Sequence, residues 1–99
     1  MTNKPHSEVT QAVALGYQQG HPAPRVLGQG RQELAQAIVA KAAELDIPIK
    51  VEPDLVAFLM ELKPNSWVPP ELYTAVAQIL AWAYELDGRA EELRQRENS

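Results

Sequence analysis

The chain has no cysteine, no long apolar run and no excess of basic residues. Each absence closes a class of function. Without cysteine there is no structural disulfide, no thiolate zinc site and no cysteine nucleophile, and a reducing compartment is permitted without being required. No apolar stretch approaches the roughly 18 residues of a membrane span. The start Met1-Thr2-Asn3-Lys4-Pro5-His6 has no apolar signal core. Nine basic residues stand against thirteen acidic ones, a net charge of -4, whereas a nucleic-acid binder usually carries a basic face. A cytoplasmic protein is expected, with no nucleic-acid partner, no cofactor and no direct insertion into a membrane.

What is present amounts to one domain. The 99 residues bury roughly 65% of the unfolded surface and support a stability on the order of 5 to 10 kcal/mol. Residues 1–8 are polar and read as a disordered leader, residues 9–88 as the folded domain, and residues 89–99 as a charged tail with Leu93 its only large apolar side chain.

The stretch 25–53 organises the rest. It reads as a strand at 25–27, a glycine turn at 28–30, a helix over 31–45 and a second strand at 47–52. Two strands joined by a helix of that length make a right-handed βαβ unit with parallel strands. In the helix Leu34, Ile38, Ala42 and Leu45 form a stripe widened by Ala35 and Val39, which must lie on the sheet. In the second strand Ile47, Ile49 and Val51 alternate with Pro48, Lys50 and Glu52. Pro48 puts that strand at an edge or delays its pairing.

Before this unit, residues 9–17 read as a strand. Val9, Val13, Leu15 and Tyr17 share one face, and Thr10, Ala12, Ala14 and Gly16 share the other, where small side chains admit a helix closely. Residues 18–24 form a proline- and glycine-rich loop. Beyond the unit, Pro53-Asp54 starts a short helix with Leu55, Phe58, Leu59 and Leu62 as its stripe, stopped by Pro64. Pro69-Pro70-Glu71 starts the longest helix, carrying Leu72, Val76, Ile79, Leu80, Ala83 and Leu86, with Gly88 as its C-terminal cap. The fold class is α/β: a small mixed sheet of about three to four strands with the βαβ unit, packed by about three to four helices.

Few residues invite chemistry. Gly28-Gln29-Gly30-Arg31, between a strand and a helix, has the placement of a phosphate-binding turn. It lacks the third glycine of a dinucleotide fingerprint and the lysine of a P-loop, so a plain tight turn is the better reading and a phosphate- or nucleotide-binding domain the alternative one. His6 and His21 sit in polar segments and read as solvated, not as a metal pair, which would need three or four ligands on a rigid frame. Trp67, in a proline-bounded loop, either plugs the edge of the core or contacts a partner. Candidate partner contacts are His21 and Arg25 in and beside the 18–24 loop, Arg31, and Trp67.

The residues Ala12-Val13-Ala14-Leu15-Gly16-Tyr17, Ala23-Pro24-Arg25-Val26-Leu27-Gly28-Gln29-Gly30, Glu33-Leu34-Ala35, Ile47-Pro48-Ile49 and Val68-Pro69-Pro70-Glu71-Leu72-Tyr73-Thr74-Ala75-Val76-Ala77 stand in an order and spacing that carry a resemblance. Together they resemble the cytoplasmic domain of the FlhB/YscU type, the export-switch protein of flagellar and injectisome type III secretion. The likeness runs from Gln11 to Leu86.

The resemblance implies a non-enzymatic component or regulator of protein export. Its implied partners are export-apparatus proteins and secretion substrates, and its implied place is the cytoplasm, at the inner face of the membrane through the export apparatus. Members of that family carry membrane helices before this domain, and cut themselves after the asparagine of an Asn-Pro-Thr-His tetrapeptide. Here the four matching places hold Ser7-Glu8-Val9-Thr10, so no self-cleavage is expected and the chain looks like a free-standing relative of the released fragment. A family strand that precedes the cleavage turn also has no counterpart, which leaves the edge of the 9–17 strand, or a neighbouring one, as an expected docking place for a partner's strand.

Overall fold

The structure is a computed structural model that describes residues 9–97 of the chain, and their side chains as far as Gly88. The leader assigned to residues 1–8 lies outside the described residues. Strand β1 (Gln11–Gly16) and strand β2 (Arg25–Arg31) form an antiparallel pair, Gln11 opposite Arg31 and Gly16 opposite Arg25. Ala14 faces Gly28 while Leu15 faces Val26, so Leu27 is an extra residue bulged out of the ladder. It is 58% exposed.

The two faces of this ribbon differ in side-chain size, as the alternation in β1 predicts. Ala12 and Ala14 stand opposite Gly30 and Gly28, and onto this shallow face packs helix α1 (Glu33–Glu44). Its inward line is Ala35, fully buried, with Ile38, Val39 and Ala42 half-buried, while Leu34 and Leu45 lie at its margins and stay largely exposed. The other face presents Val13, Leu15 and Val26 to the core. There Val26, Leu59, Val68 and Val76 are buried together, ringed by Leu55, Leu62, Leu72 and Leu80.

The mixed α/β class holds, but the βαβ unit is corrected: among the described residues the sheet has two strands, and they are antiparallel. Residues 47–52 form no strand and do not join it. The reason is competition for the free edge of β2. Asn65 N–H donates to Val26 O at 2.9 Å, Val26 N–H to Ser66 O at 3.0 Å, and Val68 N–H to Pro24 O at 2.8 Å. The loop after α2 (Pro53–Leu59) therefore supplies the edge partner, with Arg25 and Trp67 as an antiparallel bridge. The 47–52 segment runs along the third helix instead, where Lys50 Nζ lies 5.1 Å from the ring centre of Trp82. Its apolar alternates Ile47, Ile49 and Val51 are left exposed.

Helix ends follow local chemistry. α1 closes with Ile47 N–H on Ala42 O and Asp46 N–H on Ala43 O, the paired bonds of a Schellman turn, and Asp46 takes the left-handed φ of 58°. Pro53 opens α2, and Leu59 from it is buried, whereas Phe58, expected in the same stripe, is 65% exposed. The helix is too short to bury both sides. A 3-10 turn (Pro70–Leu72) leads into α3 (Tyr73–Glu97). Gly88 does not cap α3. A single glycine costs about 1 kcal/mol in a helix, and the strong helix formers that follow it carry the backbone on to Glu97. No described helix is long and apolar enough to cross a membrane.

Candidate functional site

The loop joining β1 to β2 is held compactly. His21 N–H donates to Gln18 O at 3.0 Å, Gly20 supplies a φ of 90°, and Tyr17 Oη donates to His21 O at 3.2 Å. Ala23 is buried and seats the loop. Pro22, Ala23 and Pro24 then form one wall of a groove, and α3 forms the other.

On α3 the lining residues are Tyr73, Ala77, Leu80, Ala81 and Tyr84, a spacing that puts them on one side of the helix. The groove encloses about 350 Å³, its surface is mostly apolar, and Tyr17 closes the β1 end. All three tyrosines of the protein line it. Small alanines between aromatic walls make a floor that an apolar side chain can reach, while the tyrosine hydroxyls can meet polar backbone at the rim. Such a lining suits binding a segment of another chain, not bond making.

Next to the groove the structure gathers three of the four candidate contacts. The Arg25 guanidinium carbon lies 4.9 Å from the ring centre of Trp67, and the His21 ring meets Trp67 edge-on at 5.6 Å and 89°. Arg25 Nη2 donates to Asn65 O at 3.0 Å, which ties the arginine to the loop that pairs with its own strand. Trp67 is 45% exposed, so it neither fills the core nor stands clear of the fold. Arg31 is not part of this cluster. It is exposed at the other end of β2, opposite Gln11, roughly 20 Å along the strand.

The Gly28 to Arg31 stretch is corrected outright. It is no turn: Gly28, Gln29, Gly30 and Arg31 each pair with a residue of β1, and α1 begins only at Glu33. Glu33 also places a negative charge in the first turn, where an anion would have to sit. Gly30 serves close packing with the start of α1, and the phosphate reading loses its geometry.

The groove itself escaped the sequence reading. Tyr73 stands there only in the run of residues that carries the resemblance, and Tyr17 at the end of a strand. The signal that was available is the second stripe of α3, Tyr73, Ala77, Ala81 and Tyr84, beside a proline-bounded Ala23.

Comparison with known proteins agrees with this architecture. Residues 9–83 match the model of the FlhB HrpN YscU SpaS family. YlqH of Bacillus subtilis, an uncharacterized protein, is 34% identical over 85 residues, covering 85% of this chain and 91% of YlqH. The flagellar biosynthetic protein FlhB of Yersinia enterocolitica is 39% identical over 77 residues, covering 76% of this chain and 20% of FlhB. The chain thus spans about a fifth of the length of that relative. Among solved structures, a mutated EscU/SpaS C-terminal domain superposes with a TM-score of 0.74 at 26% identity, over 77% of this chain and 96% of that domain. The PscU C-terminal domain does so with a TM-score of 0.69 at 27% identity, over 74% and 95%. Matched along most of its length in sequence and in fold, the chain belongs to the FlhB HrpN YscU SpaS family of type III secretion and flagellar export proteins.

Proposed function

We propose that this chain is a non-enzymatic component or regulator of flagellar or type III protein export, working through contacts with export-apparatus proteins and secretion substrates at the cytoplasmic side of the membrane. The observation that carries the reading is the groove between the 17–24 loop and α3. Its three tyrosines and alanine floor suit a short apolar segment of an exported protein. Relatives named for flagellar biosynthesis and for hypersensitivity-response secretion supply the context. Ser7-Glu8-Val9-Thr10 in place of a self-cleaving tetrapeptide keeps the chemistry out of the reading.

A second contact is proposed at the outer edge of β1, whose ladder pairs on one side only among the described residues. Exposed edges accept strands. Amide exchange tests it: protection of the β1 amides that rises when partner is added supports the edge, and full protection in the free chain removes it.

The groove is tested in the protein's own cells with the gene deleted. Wild-type chain restores secreted flagellar or type III substrate, and Ala77→Glu or Ala81→Glu, both at exposed positions, does not, although each accumulates normally and unfolds at the wild-type temperature. Recovery of the wild-type chain then brings down export-apparatus proteins or substrates. Export unchanged by the deletion would overturn the reading.

A further inference from the structure

The groove does not end in neutral surface. Its loop wall, Pro22 to Pro24, is bracketed in sequence by His21 and Arg25, and successive Cα atoms stand only about 3.8 Å apart. The backbone of Arg25 therefore adjoins the loop wall, and the Arg25–Trp67 pair lies just outside the groove's own lining. Arg25 is held there from three sides: by the Trp67 ring at 4.9 Å, by Asn65 O at 3.0 Å, and by the backbone of β2 itself. His21 in turn fixes the Trp67 ring from its edge.

Among the described residues no carboxylate pairs with Arg25. Lys41 forms an ion pair with Glu44, far along α1. The Arg25 Nε is buried without a hydrogen-bond partner. Beyond the bond from Nη2 to Asn65 O, no protein group takes up its remaining hydrogens among the described residues. An arginine preordered on an aromatic face, with donors unspent and no counter-charge, is equipped for a carboxylate. It is a local positive point on a chain whose net charge is -4.

We infer that the segment occupying the groove is an apolar peptide that carries an aspartate or glutamate within a residue or two of its anchor, and that Arg25, stacked on Trp67, selects that carboxylate. The inference rests on the groove being a peptide site and adds the chemistry of its occupant. The apolar anchor fills the space between Pro24 and the α3 alanines, and the acid closes the open hydrogen-bonding side of the guanidinium. Trp67 and His21 act as positioning residues.

A random library of 12-residue displayed peptides, selected on the immobilised full chain, tests it. Peptides enriched by the wild-type chain should share an apolar anchor with Asp or Glu beside it, and Arg25→Gln should keep the anchor and lose the acid. One selected peptide is then synthesised with Asp and with Asn at that place. The exchange should weaken binding to the wild-type chain about three- to fivefold, as a partly exposed ion pair does, and leave binding to Arg25→Gln within about 1.5-fold. Trp67→Leu, which keeps the charge and removes the platform, should shrink the Asp preference.

Apolar enrichment with no acid preference, or a preference that survives Arg25→Gln, overturns this inference and leaves the groove standing. Absence of any apolar enrichment overturns the peptide reading of the groove and the inference with it. Should Arg25→Gln fail to fold, the Asp–Asn difference on the wild-type chain is measured at low and high salt. Loss of the difference at high salt supports the guanidinium, and its persistence overturns it.

Discussion

A methyl group on Gly30 would lie 2.5 Å from Cγ of Leu34, and 3.0 Å from that residue's backbone carbon. Here the start of helix α1 lies tightly against β2. A methyl on the neighbouring Gly28 meets only Ala14 Cβ, at 4.0 Å.

These two glycines, equivalent in sequence, should therefore behave oppositely. Gly30→Ala must move the α1 backbone and should cost about 1 to 3 kcal/mol. Gly28→Ala should stay within about 0.5 kcal/mol of wild type. Denaturant midpoints at unchanged slope measure both. Equal losses would place α1 differently from what is described here.

Gln29 ties β2 to the end of α2. Its Nε2 donates to Leu59 O and to Leu62 O, both at 2.7 Å, which gives the Leu62 carbonyl past the helix end a donor and adds a second one to Leu59 O, already bonded by Leu62 N–H at 3.1 Å. Gln29→Ala should cost about 1 to 2 kcal/mol, and Gln29→Glu about 2 to 3 kcal/mol, because an ionised carboxylate offers those carbonyls only acceptors. For a domain of this size each kcal/mol lowers the unfolding midpoint by about 4 to 8 °C, and thermal unfolding reads the order of the two variants.

Asp46 holds a left-handed conformation at the end of α1, with a φ of 58°. It combines a Cβ where glycine is preferred with a negative charge at the negative end of the helix. Asp46→Gly should stabilise by about 0.5 to 1 kcal/mol. Asp46→Ala removes the unfavourable charge but raises the cost of the left-handed conformation, which Asp tolerates better than Ala, so the two effects should nearly cancel. A gain from alanine equal to that from glycine would assign the effect to charge alone.

Leu59 and Phe58 are neighbours on α2 with opposite fates, 1% and 65% exposed. Leu59→Ala should cost about 2.5 to 5 kcal/mol and Phe58→Ala no more than about 0.5 kcal/mol. Urea unfolding of the two variants decides whether the helix is turned as described.

Local pattern carried much of the fold. The small-residue side of β1, the proline start of α2, the proline-opened turn into α3 and the inner positions of the helix stripes were legible, because they depend on residues within a turn or two of one another, whereas Leu34, Leu45 and Phe58, read into those stripes, are exposed. Of the candidate contacts, His21, Arg25 and Trp67 converge on one cluster, while Arg31 stands apart. Their convergence was not legible, since it requires residues 65–68 to run beside Arg25, forty positions earlier in the chain in the case of Asn65.

The sequence by itself determined the class of protein: no cysteine chemistry, no span-length apolar run, an α/β fold, and the ordered residues that place it in an export family. Only the tertiary structure decided which segment took the free edge of β2, and so made residues 47–52 a flank of α3 instead of a strand. It also decided that Gly28 to Arg31 are laddered and not looped, and that three tyrosines from distant positions share one groove. The physical reason is common to all three. Backbone donors and acceptors can each be satisfied by several segments of similar local preference, and the choice among them is made by what the whole core can bury at once.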